Sequence, residues 1–250
     1  MSLATCLILE NAALLPGFTA CTLPLDAGRP RSVLAVGTAD LLVLERDSQS
    51  VVRYFDSDGD GLPESKQSVA NAPSLNHGIA LNDGYIYASS DTTVYRWSYS
   101  SEDFSSVGEQ QIVVENINAD GQGGAPQGHT TRTLAFDDVG RLYISVGSGS
   151  NVDRDSFRSR IRRFELAEGI LPLDFQTGEV FADGLRNEVG LAFDKYGVLW
   201  GVENGADNLF RSDLGGDIHN DNPVSEAFRN NHTVDLEYIV LELMEIAFAF

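Results

Sequence analysis

Short β-branched and aromatic runs alternate with turn residues along most of this chain, and the alternation recurs. Four stretches share one order: an apolar pair, a Gly/Asp turn, an apolar strand, then a second strand. They read VLAVGTADLLVLERDSQSVVRYF from Val33, GIALNDGYIYASSDTTVYRW from Gly78, TLAFDDVGRLYISVGSGSN from Thr133, and GLAFDKYGVLWGVENGADNLFRSD from Gly190. Their shared alanines are Ala35, Ala80, Ala135 and Ala192, separated by 45, 55 and 57 residues. Turns such as Asn82-Asp83-Gly84 and Tyr196-Gly197 mark hairpins. Repeats of about 40–50 residues built from short antiparallel strands predict an all-β fold, a β-propeller of four-stranded antiparallel blades. A large β-sandwich is the alternative, but it has no reason to repeat this template at this period. Beyond Glu226 the template is absent, so we divide the chain into residues 1–226, the propeller, and a tail of residues 227–250.

Composition narrows the partners. The chain has 250 residues, 42% of them hydrophobic, enough for a sizeable core. It carries 17 Lys+Arg against 37 Asp+Glu, a formal net charge of −20. A surface that acidic repels phosphate backbones and anionic head groups, so neither nucleic acid nor a membrane surface is an expected partner. The apolar stretch at residues 238–250 is thirteen residues long and interrupted by Glu242 and Glu245. A membrane span needs about twenty. No Lys or Arg precedes Arg29, so the opening residues make no convincing signal peptide. Cys6 and Cys21 are too few for a disulfide framework or a zinc site, and are read as thiols or as one pair.

Several constellations carry candidate chemistry. Asp56, Asp58 and Asp60, with Gly61 at the sixth position, can curl oxygen ligands around one Ca²⁺. Leu62 would add its carbonyl, and Glu64 stands at position 9. Gln67 occupies the place of the EF-hand's bidentate glutamate, so the loop is either a structural calcium site or a solvated acidic turn. His129 follows a glycine-rich loop and precedes a strand, where an imidazole serves as a general base or plays a structural part. Arg186-Asn187 is ambiguous alone. The run Glu203–Asn208, with Asp213 and the string DIHNDN, suits a cation or a polar loop with Asx turns. No nucleotide-binding glycine fingerprint, nucleophile elbow or HExxH occurs.

The strings GHTTRTLAFDDVGRLYISVGSGSNVD, SRIRRFEL, FADGLRNEVGLAF, LWGVENGADNL and DLGGDIHNDNP resemble the pyrroloquinoline quinone (PQQ)-dependent sugar dehydrogenases. The nearest branch is the eukaryotic pyranose dehydrogenases, related to sorbosone and soluble glucose dehydrogenases. The resemblance implies a six-bladed propeller with PQQ and Ca²⁺ in an axial funnel, a sugar substrate, an external electron acceptor and an extracellular location. His129 would take the proton of the sugar hydroxyl, and Arg186 would stabilise charge on the reduced cofactor. Asn187 and Asn204 would contact it. Backbone carbonyls of Gly205 and Ala206 would hold its Ca²⁺, with Asp207 a further ligand candidate.

At the spacing seen here six blades need about 310 residues, and this chain holds about four. The matched strings stop near Glu226, so full activity is not expected of this chain alone, and its open blade edges invite self-association. A calcium-dependent lactonase-like hydrolase on a similar propeller and a non-enzymatic binding propeller are the rival functions.

Overall fold

The computed structural model describes residues 7–8, 21–22, 25–36, 40–100, 107–117, 128–150, 158–167, 169–204, 210–211 and 216–217. A two-residue pair, β1 (Leu7–Ile8) with β2 (Cys21–Thr22), precedes the first blade. That blade is the antiparallel meander β3 (Pro30–Val36), β4 (Asp40–Glu45), β5 (Ser50–Phe55) and β6 (Ser65–Asn71). The second comprises β7 (Leu75–Asn82), β8 (Tyr85–Ser90), β9 (Val94–Ser98) and β10 (Gln111–Glu115). The third uses β11 (Leu134–Phe136), β12 (Leu142–Val146), β13 (Arg160–Phe164) and β15 (Glu179–Asp183). Between its last two strands, β14 (Leu173–Asp174) pairs in parallel with β10 and so ties the third blade to the second. A fourth unit is the hairpin β16 (Glu188–Phe193) and β17 (Leu199–Glu203). The last described pair is β18 (Phe210–Arg211) with β19 (Gly216–Asp217).

The repeated alanines mark the arrangement. Ala35, Ala80, Ala135 and Ala192 all fall on first strands, opposite Leu41, Tyr87, Tyr143 and Trp200. Those first strands stand in sequence: β3 packs beside β7, β7 beside β11, and β11 beside β16. Ala80 and Ala135 are buried where their strands meet the next blade, while Ala35 and Ala192 are exposed at the two ends of the series. The hairpin turns use the residues that tolerate positive φ, with Asp83 at +46° and Gly84 at +72°. Among the described residues there is no α-helix, and no helix long and apolar enough to cross a membrane.

The core lies between blades rather than within them. Along β8, Ile86 and Ala88 join the cluster shared with Leu42, Leu44 and Val51 of the first blade. Tyr87, one residue out of phase, faces Leu134, Leu142 and Ile144 of the third. Period-two alternation thus supplies two apolar faces, one for each neighbour. The same holds on β12, where Tyr143 turns away from Leu142 and Ile144 to meet Ile161, Leu185 and Leu199. On the first blade the outer face is not bare: Val43, Val52 and Tyr54 are buried with Leu25, Ala27 and Leu41 against them. The segment before β3 therefore covers part of the flank that the sequence left open. The tail beyond Glu226, Cys6, and the side chain of Cys21 lie outside the described residues.

Two serines repeat one polar latch across these apolar interfaces. Ser89 Oγ accepts the Gly78 N–H at 2.8 Å and donates to the Arg132 carbonyl at 2.7 Å. One blade later, Ser145 Oγ accepts the Thr133 N–H at 3.2 Å and donates to the Glu188 carbonyl at 3.0 Å. Both serines are buried. Removing either hydroxyl leaves a buried donor without its acceptor, at a cost of about 1–3 kcal/mol. Ser89→Ala and Ser145→Ala should each lower the unfolding free energy by that amount, read as a lower urea midpoint with an unchanged slope. An unaltered midpoint in both would show that the latches contribute nothing.

Candidate active site

One end of the third and fourth blades gathers most of the residues singled out above. In an antiparallel meander the start of the first strand, the turn between the second and third, and the end of the fourth share one side. His129 lies just before β11, Ser148 follows β12, Arg158 precedes β13, and Arg186-Asn187 joins β15 to β16. Glu203 ends β17, and Asn204 follows it. Chain topology alone thus converges five segments on one rim.

Hydrogen bonds hold them together. The Ser148 N–H donates to the Arg186 carbonyl at 2.7 Å, and the His129 N–H to the Ser148 carbonyl at 3.1 Å. The Asn204 N–H donates to the Asn187 carbonyl at 3.1 Å, and Thr131 Oγ1 to Asn187 Oδ1 at 3.2 Å. Arg186 is anchored twice, its N–H to Glu203 Oε1 and its Nη1 to the Asn204 carbonyl. Glycine is required at position 147, where a Cβ would stand 2.6 Å from His129 Cβ and 2.9 Å from the Arg186 carbonyl. At Gly128 the chain takes φ +83° immediately before His129.

Electrostatics select the imidazole's state. His129 Nδ1 is 2.9 Å from the Ser148 carbonyl oxygen and 3.0 Å from Ser148 Oγ. A carbonyl only accepts, so Nδ1 carries the proton and Nε2 is left with a bare lone pair. Burial lowers the His129 pKa below its ordinary value. The Ser148 carbonyl opposes that shift, and the charges of Arg186, Arg158 and Arg132 add to it. The result is a neutral imidazole at neutral pH, the protonation state a general base needs.

Beside Arg186 sits an acidic pair of which the sequence motifs singled out only Glu203, as the start of the run Glu203–Asn208. Glu188 and Glu203 are register partners across β16 and β17 and are both buried. Burial pushes the Glu203 carboxyl up to about 7, against the Arg186 and Asn187 N–H groups and the charge of Arg186. Arg132, Arg158 and His77 were likewise missed. Only Arg132, three residues beyond His129, stands near it in the sequence.

Gly205, Ala206 and Asp207 lie outside the described residues, so the proposed calcium carbonyls are not placed. The aspartate loop is placed, at the turn between β5 and β6, the opposite end of the blades from His129. Ligand oxygens of Asp56, Asp58, Asp60 and Glu64 come within 4.8 Å of one another. Asp56 accepts the N–H groups of Gly59 and Gly61, both at 2.7 Å, and Asp60 Oδ1 that of Leu62 at 2.8 Å. Glu64 closes the loop by accepting from Ser57 N–H and Oγ. A cavity of about 590 Å³ lined by Asp137, Arg141, Tyr143, Arg163, Phe181 and Phe193 also lies at that opposite end. It shares no residue with the rim, where hydrogen bonding rather than cavity volume defines the site.

His77 tests the pH behaviour of this region. It is buried on β7, with Nε2 3.0 Å from the Val189 carbonyl, and desolvation drives its pKa from 6.5 to about 4. A histidine held neutral in the fold contributes stability above its unfolded pKa and loses it as pH falls. Wild type should therefore lose about 3 kcal/mol more than His77→Gln between pH 6.5 and 4. Parallel stability curves for the two proteins would exclude His77 as the titrating group.

The TrAA12-like family profile matches residues 12–237. The PQQ-dependent pyranose dehydrogenase of Coprinopsis cinerea is 29% identical over 216 residues, covering 80% of this chain and 28% of that protein. The calcium structure of the Trichoderma reesei Carbohydrate-Active Enzymes Family AA12 protein is 31% identical, with a TM-score of 0.67, over 81% of this chain and 52% of that one. The holo form of the Coprinopsis cinerea pyranose dehydrogenase PQQ domain is 28% identical, with a TM-score of 0.64, over 79% and 49%. The PQQ-bound aldose sugar dehydrogenase of Streptomyces coelicolor, 24% identical over 73% of this chain and 58% of that one, with a TM-score of 0.53, shares the fold. This chain spans little more than a quarter of the curated relative and about half of the first two solved ones.

Proposed function

The chain belongs to the TrAA12-like family, and from that premise we propose that it is part of a PQQ-dependent, sugar-oxidising dehydrogenase. The observation that carries the reading is His129, neutral, with Nδ1–H committed to Ser148 and Nε2 bare, on a rim shared with Arg186 and Asn187. That is the arrangement of a positioned base. Relatives whose names specify PQQ and pyranose oxidation support the substrate class.

PQQ is a tricarboxylate, and the positive charge of Arg132, Arg158 and Arg186 around His129 suits an anionic group there, with Arg132 and Arg158 contributing charge while their N–H groups bond main-chain carbonyls. When bound, that cofactor supplies a two-electron acceptor. Arg186, Asn187 and Asn204 would hold it, and carbonyls of Gly205 and Ala206, with Asp207, would hold its Ca²⁺. His129 Nε2 takes the proton of the sugar hydroxyl. Ser148 keeps Nδ1–H in place, so the ring gains the proton without turning. The bonds from its N–H to Glu203 Oε1 and from its Nη1 to the Asn204 carbonyl hold Arg186 during that transfer. An external electron acceptor completes the cycle, and the location is extracellular, as the family resemblance implies.

The test incubates the protein with PQQ and Ca²⁺, measures cofactor binding by equilibrium dialysis, and follows reduction of an artificial dye across a panel of pyranoses. Binding with sugar-dependent reduction is expected. His129→Ala should keep binding and lose about 100- to 10,000-fold in turnover. Absence of both binding and reduction sinks the proposal, and hydrolysis of a sugar lactone without PQQ would favour the hydrolase instead.

We propose also that Asp56, Asp58, Asp60, Glu64 and the Leu62 carbonyl hold a second, structural Ca²⁺. Support comes from the convergence of four carboxylates, which repel one another without a cation. At a hundredfold excess over Kd, calcium would add about 2.7 kcal/mol of stability. Melting with calcium and with chelator should show a response in wild type that is smaller in Asp58→Ala. Equal responses would remove this loop as a ligand.

A further inference from the structure

Arg132 is the largest wholly buried side chain among the described residues, at 0% exposure. Its hydrogen-bond partners are all main-chain carbonyls. Nε donates to Asp91 at 2.9 Å, and Nη1 donates to Thr131 at 2.8 Å and to His129 at 3.0 Å. Asp91 belongs to the turn between β8 and β9, so one guanidinium joins the second blade to the loop that carries His129. Burial, reinforced by the charge of Arg158, drives its pKa down to about 9, which still leaves it charged at neutral pH.

A buried cation matched by carbonyl dipoles rather than by a carboxylate is an expensive way to fill space, because its desolvation is only partly offset. Its effect falls on His129. That residue's carbonyl accepts from Arg132 and, at 2.9 Å, from Arg158 Nη2, while its N–H is held by Ser148. With both main-chain polar groups fixed, the Cα–Cβ direction is fixed, and the ring reaches Ser148 in a single orientation. We propose that Arg132 is a positioning residue for His129, clamping the main chain so that Nδ1 meets Ser148 and Nε2 stays bare. The importance of the bare nitrogen rests on the dehydrogenase reading above. The clamp itself does not, and it is tested without turnover.

The experiment is ¹⁵N spectroscopy of the histidines across pH in wild type, Arg132→Lys and Arg132→Gln, with His129 signals identified by their loss in His129→Ala. Wild type should show one tautomer, protonated at Nδ1. Lysine keeps the charge but cannot span three carbonyls, so Arg132→Lys should show mixed tautomers. Its His129 titration midpoint should rise by roughly half a unit to one unit as water reaches the ring. An unchanged tautomer and midpoint in folded Arg132→Lys, even with a lowered melting temperature, would mean that Arg132 is only structural and would overturn the proposal. Should neither variant fold, the wild-type guanidinium decides. Slowly exchanging, separately resolved Arg132 N–H signals support the clamp, and rapid rotation with solvent exchange refutes it. Failed sugar oxidation beside a positive tautomer result would count against the enzyme reading alone.

Discussion

A sheet that is apolar on both faces cannot stand alone in water, and everything else in this protein follows from that. Ile86 and Ala88 need the first blade, while Tyr87, between them, needs the third. Apolar surface covered between the faces of neighbouring blades contributes about 25 cal/mol per Å². The buried serines add direction to this non-directional attraction. An apolar face tolerates sliding, whereas a hydroxyl that must reach one carbonyl does not.

The rim inherits its precision from that stacking. His129 and Ser148 come from the third blade, and Arg186 and Asn187 from the connection to the fourth. Their mutual bonds run chiefly through the main chain. Side chains such as Arg158 and Glu203 then satisfy carbonyls and N–H groups that the irregular connections leave without strand partners. The polar groups that hold the site are thus the same groups that let the loops be buried at all.

Much of the architecture was legible because it is local and repeated. The alanines on first strands and the Asn82-Asp83-Gly84 turn declare themselves within a few residues, and the spacing of Asp56, Asp58 and Asp60 shows their convergence directly. The candidate site was legible in part. His129, Arg186, Asn187 and Asn204 were found through the resemblance of long strings, and the structure brings their segments together. What stayed hidden is what only one blade set against another can create. Arg132 finds Asp91 forty-one residues away, Ser145 finds Glu188, and His77 finds Val189. None of these pairs has a spacing that marks it, because blade contacts join residues at separations the loops make irregular.

The bond from His77 to Val189 skips a blade, running from the second unit to the fourth past the whole of the third. Geometrically it is a chord. Contacts between adjacent blades set each wedge angle separately, and small errors in those angles would accumulate around an arc. A chord across two wedges fixes their sum, so the curvature at this point becomes a property of three blades together. Any motion that flattened the arc would have to break this strut in a buried place, leaving the Val189 carbonyl without its donor. The arc is therefore braced on the side where His129 and Arg186 stand.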